Sequence, residues 1–187
     1  MATRIMKAYE EKGQHSVGNL NSIKVKTVAH GAIATEDVDN FTAVELGFNA
    51  EGERTFSQLT DVTKKTYLVA APEIRYMGEE MVDFFNGAGD RARIVVLESA
   101  YTRFESSAFT LDSGDATATP ARSAVVSINN GQVAHFDPTS KKFIVSASTT
   151  SHPDYATASA KFLVVANEED LDYTLGAQTV RLEVQEA

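Results

Sequence analysis

Cysteine and tryptophan are absent from these 187 residues, and proline occurs only four times. Without cysteine there can be no disulfide framework, zinc–thiolate site or thiol nucleophile. Basic charge is scarce as well. Seventeen Lys and Arg stand against 26 Asp and Glu, a formal net charge of −9 with a pI of about 4.9. Such a surface repels phosphate backbones. The densest basic runs, Lys24/Lys26, Lys64–Lys65 and Lys141–Lys142, sit among acidic or polar residues, so no nucleic-acid partner is expected. Long apolar runs are missing too: none approaches the roughly 18–20 residues that span a bilayer. The opening MATRIMKAYEEKGQHS lacks the apolar stretch of a secretory signal. The expectation is a protein made in the cytoplasm of its host, with no membrane partner.

What is present suits a globular chain: 43% hydrophobic and 23% charged residues. The length allows one domain with a real core, or one domain with an arm. Residues 1–30 carry few large apolar side chains, and only Ile23-Lys24-Val25-Lys26 alternates. They read either as a first edge strand or as an extended N-terminal arm ordered against a partner. Residues 31–187 read as a single β-rich domain.

Alternation from Asp39 to Asn49 predicts a strand, closed by a turn on Asn49 and Gly52. Tyr67-Leu68-Val69-Ala70 predicts a buried strand. Pro72, with Glu73 behind it, starts a predicted amphipathic helix over about 72–85. Ile74, Met77, Met81 and Phe84/Phe85 share its apolar face, and Asn86-Gly87 and Gly89 stop it. Two strand-like segments follow, RARIVVLES and RFESSAFTLD. A three-stranded meander is expected next: Ser123–Ile128, Gln132–Phe136 and Lys142–Ala147, joined by a type I′ turn at Asn130-Gly131 and a turn at Asp137–Ser140. STTSHPDYATASA reads as a polar loop. KFLVVA and QTVRLEV close the chain as strands, with Val180, Leu182 and Val184 on one side. The fold class is α+β, mostly antiparallel β, a small barrel or sandwich with one helix.

Reacting groups are hard to assemble from this sequence. His15, His30, His135 and His152 show no metal-ligand spacing. His135, on a meander strand, reads as solvent-facing or hydrogen-bonded, and His152 as a loop residue. Glu168-Glu169-Asp170 with Asp172 could gather calcium but lacks the spacing of a calcium loop. Ser106-Ser107 has no nucleophile elbow. NGAGDRAR follows a helix, whereas phosphate cradles precede one. No enzyme, cofactor, metal or catalytic residue is therefore expected. Arg91, Arg93 and Arg103 are interface candidates, with internal ion pairs an equally good reading.

SINNGQVAHFDPTSKKFIVS resembles the small β-rich head decoration, or cement, proteins of tailed bacteriophages. LVAAPEIRYMGEEMVDFFNGAGDRARIVVLESAYTRFESSAF is similar in texture to phage head proteins. The resemblance implies a virion protein without chemistry of its own. Such a protein binds the outside of the shell and ties neighbouring copies of the major capsid protein together, with self-association around symmetry axes. Ile5, Met6 and Tyr9 of the arm are the contacts it suggests. Two alternatives remain: a carbohydrate- or receptor-binding β module of a phage tail or surface protein, and a hydrolase using His135 or Ser107.

Overall fold

The computed structural model describes residues 18–72, 84–168 and 178–187. Ile5, Met6 and Tyr9, most of the predicted 72–85 helix and Glu169, Asp170 and Asp172 lie outside these residues.

The described residues form two seven-stranded sheets and a two-stranded ribbon. The first sheet runs in the order β1 (Gly18–Leu20), β11 (Arg103–Ser106), β16 (Thr179–Glu186), β15 (Lys161–Glu168), β13 (Val133–Asp137), β14 (Lys142–Ser146) and β12 (Phe109–Leu111). The second runs β2 (Lys26–Thr27), β10 (Ile94–Val96), β7 (Tyr67–Val69), β5 (Ala43–Phe48), β6 (Arg54–Gln58), β3 (Ala32–Ala34) and β9 (Arg91–Ala92). The ribbon pairs β4 (Val38–Asp39) with β8 (Phe85–Asn86). All pairings are antiparallel except β12 with β14 and β3 with β6. Among the described residues neither large sheet closes on itself, so the architecture is a sandwich and not a closed barrel.

Alternation along the strands decides what lies between the sheets. Ala43, Leu68 and Val95 point from the second sheet into a core completed by Phe104, Phe136, Phe143, Phe162, Val180, Leu182 and Val184 of the first. The phenyl rings meet tilted or edge-on, with centroids 5.2–5.7 Å apart, the arrangement their quadrupoles favour. Neighbouring residues Val44, Val69 and Ile94 point the opposite way, into a second cluster with Phe56, Val38 and Phe84. The second sheet is thus covered on both faces. That is why its strands read as unbroken apolar runs such as YLVAA and IVV.

Several expectations are corrected. Phe85 belongs to a strand and Pro72 has no regular structure, so no helix extends over the full 72–85 span. Gly87–Asp90 is accordingly a turn after a strand, with Asp90 N–H donating to Gly87 O, and not a helix stop. The strand expected from Asp39 starts at Ala43, because Phe41 takes a left-handed φ of 52° that breaks the extended chain. Residues 123–128 form no strand, so the meander reduces to the β13–β14 hairpin. At Asn130-Gly131 only Gly131 has positive φ, 87°, and Gln132 N–H donates to Asn129 O. That geometry is of type II, where only the second central residue needs positive φ. The loop expected at 148–160 contains a helix, α1 (Pro153–Thr157).

Candidate functional site

Chain crossings between the sheets build the most exposed apolar feature. Residues 21–25 carry the chain from the edge strand of the first sheet to the edge strand of the second. Residues 97–102 run back from β10 to β11 beside them. Asn21 N–H donates to Arg103 O at 2.9 Å, Arg103 N–H donates to Ser22 Oγ at 2.7 Å, and Ser22 Oγ donates to Arg103 O at 3.2 Å. Lys26 pairs with Glu98. On the second crossing, Tyr101 N–H and Thr102 N–H both donate to Glu98 O, and Ala100, at φ 56°, donates to Val184 O. These bonds fix two tight bends side by side and leave their tips outward. Ile23 is 101% exposed and Tyr101 is 63% exposed.

The two tips rim a depression of about 440 Å³ that Arg103 and Glu183 also line. Arg103 pairs with Glu183, so the floor beside the apolar tips carries neutralised charge. A second depression that Tyr101 also borders is lined by Lys24, Lys26 and Lys65 together with Glu98. In this acidic protein it is a local concentration of amines. The Glu98 carboxylate, by hydrogen bond and charge, raises the Lys26 pKa above the usual lysine value.

Arg91 and Arg93 fall elsewhere. Arg91 donates to His30 O at 3.1 Å and to Glu53 at 2.6 Å, next to Phe48, which is 66% exposed beneath the Arg54 guanidinium. Arg93 Nε donates to Ala70 O at 2.6 Å, a tie to the backbone. Arg91 and Arg103 therefore each make an internal ion pair and each border an exposed aromatic ring. Nothing local in the sequence singles out Ile23 and Tyr101. Their prominence comes from the pairing of two crossings, residues 21–25 and 97–102, that are distant in the chain.

A different cluster lies on the outer face of the first sheet. Ala134 and Phe136 point into the core, so His135 between them points away from it. Helix α1 covers that face. His152 caps the helix, its Nδ1 accepting from Asp154 N–H at 3.3 Å, and Pro153 follows in the first turn. The His152 ring stacks on His135 at 5.0 Å and Tyr155 meets it edge-on at 6.4 Å. His135 is thereby 0% exposed, and neither of its ring nitrogens has a hydrogen-bond partner. The solvent-facing or hydrogen-bonded reading of His135 is corrected: the covering helix buries the ring and supplies no partner. Burial, and then the neighbouring His152, push its pKa down from 6.5 to about 4. His135, His152 and Asp154 each offer a ligand atom, and these atoms lie within 4.8 Å of one another. They are the described residues that could hold a metal. A histidine cap followed by proline and aspartate was the signal for α1 in the sequence, but nothing local linked it to a strand histidine 17 positions earlier.

No helix among the described residues is long and apolar enough to cross a membrane. A family described as YonC prophage protein matches residues 11–185. The SPbeta prophage-derived uncharacterized protein YonC of Bacillus subtilis (strain 168) is 58% identical over 188 residues, spanning 100% of both chains. No solved structure matches the chain.

Proposed function

The chain belongs to the YonC prophage protein family, and from that phage origin we propose that it is a structural virion protein. It binds the outside of the capsid shell and ties neighbouring major capsid subunits together. It works by adhesion, without turnover of a substrate. The observation that carries this reading is the Ile23–Tyr101 corner. Two large apolar side chains are held in water on hydrogen-bonded bends, where the chain itself gains nothing from their exposure. Rigid tips lose little conformational freedom when a partner covers them, which favours affinity. Tyrosine and arginine are common energetic anchors of such contacts, and Tyr101 and Arg103 stand together here. A shell offers the same contact many times, so modest binding per copy becomes firm retention when contacts act together.

The test is cosedimentation of the purified protein with mature heads stripped of it. The wild-type chain should pellet with the shells. Ile23→Asp combined with Tyr101→Ala should weaken that binding at least tenfold, the effect of roughly 1.4 kcal/mol or more at an interface anchor, while far-UV circular dichroism stays unchanged. Wild-type protein that remains in the supernatant would overturn the proposal. Saturable binding to a glycan array in its place would favour a receptor-binding module.

A further inference from the structure

We propose that His135, His152 and Asp154 form a binding site for a divalent transition-metal ion, with Zn²⁺ the best fit, that staples helix α1 to strand β13. Two imidazoles and one carboxylate are a donor set that zinc and its neighbours accept, while the hard cations Ca²⁺ and Mg²⁺ prefer oxygen alone. The three ligand atoms already lie within 4.8 Å of one another. A tetrahedral zinc with bonds near 2.0–2.2 Å needs them about 3.3 Å apart. Asp154 is exposed and His152 half-buried at the start of a five-residue helix, so closing that difference falls to these two side chains, with the His152 ring turning out of its stack, while His135 is held by the sheet.

The independent observation is His135 itself. Its two nitrogens are sealed from water with no partner. Buried polar groups are otherwise nearly always satisfied, because desolvation without a replacement bond is costly. A metal–nitrogen bond supplies that replacement for one of them. The cap bond to His152 Nδ1 is long, so its lone pair is only weakly engaged. The field also suits a cation. Asp154, Asp137 and Asp112 all act on His135 as negative charges. Lys161 Nζ lies over the Tyr155 ring, 5.9 Å from its centroid, and is paired with Glu186. Three protein ligands leave one position for water. The ion would fasten the crossover between β14 and β15 onto the outer face of the sheet, independently of the Ile23–Tyr101 corner.

Untagged full-length protein, freed of metal with a chelator and dialysed, is titrated with Zn²⁺ by calorimetry, and its melting is followed with and without the ion. One ion per chain and a higher melting temperature are expected. His152→Ala and Asp154→Asn should each weaken binding by about 100-fold or more, the upper range for loss of supporting metal contacts, with unchanged circular dichroism. His30→Ala should bind as the wild type does. His135→Ala removes a core side chain, so the two outer variants decide the matter whether or not it folds. The proposal is overturned if the wild type takes up no zinc, or if both outer variants bind it as tightly as the wild type.

Discussion

His135 links the stability of the metal-free protein to protons. In the unfolded chain this histidine titrates near 6.5, and in the fold near 4. Between those values the unfolded state holds a proton that the native state does not, so stability falls as pH drops through the window. The loss is negligible above about pH 7.5 and approaches about 3 kcal/mol at pH 4. Urea midpoints measured with chelator at pH 7 and pH 5 should differ in the wild type, and markedly less in His135→Phe; equal differences would show that another group carries the effect. Gly114 is a second sensitive position. Its φ is +76°, and a Cβ would sit 2.5 Å from the Ala124 nitrogen. Gly114→Ala should cost about 2 kcal/mol or more, adding backbone clash to left-handed strain, read as a drop in the urea midpoint. Neither property could be seen in the sequence. His135 stands between Ala134 and Phe136 as any strand histidine might, and its burial depends on a helix that arrives later in the chain.

Strands whose two faces meet different surroundings were legible, and segments held by single long-range pairs were not. Val180, Leu182 and Val184 alternate in sequence and are all buried in β16. Tyr67–Val69 and Ile94–Val96 read as strands because both faces of the second sheet are covered. Ser123–Ile128 carries a similar apolar signal yet stays irregular. Asp112 and Arg122 form a nearly buried ion pair at 2.6 Å, Asp115 and Arg122 exchange backbone bonds, and Val125 N–H donates to Asp112 O. These contacts fold the 112–125 segment back on itself and spend the groups that a ladder would need. Arg122→Ala should therefore destabilise by about 3 kcal/mol, since it leaves a buried carboxylate without its cation. Asp112→Ala with Arg122→Ala should lose less than the sum of the two single variants, measured as a double-mutant cycle by urea unfolding. Additive losses would show that the pair does not act as a unit. Helix α1 carries no legible periodicity for a simpler reason: five residues with none buried have no apolar face.

At the scale of the molecule, the sandwich uses its core to hold two crossings together at one corner. Residues 18–30 serve both sheets, as β1 on one edge and β2 on another. That arrangement places Ile23 beside Tyr101, and it puts Arg103, one of the arginines singled out from sequence, on the rim of the same depression. Because its ion pair with Glu183 is already made, adhesion through this corner should rest mainly on apolar contact. Raising salt from low to about 1 M, where the screening length shrinks to about 3 Å, should reduce shell retention by less than tenfold. Steep loss with salt would instead implicate the lysine-lined depression. The most direct measurement is made on whole particles: quantitative mass spectrometry of purified, DNA-filled virions from an induced lysogen. This chain should be present in a fixed ratio to the major capsid protein, and that ratio should fall at least tenfold in a lysogen carrying Ile23→Asp with Tyr101→Ala. Virions without the chain, or with the same ratio in both lysogens, would contradict a shell-binding role through this corner.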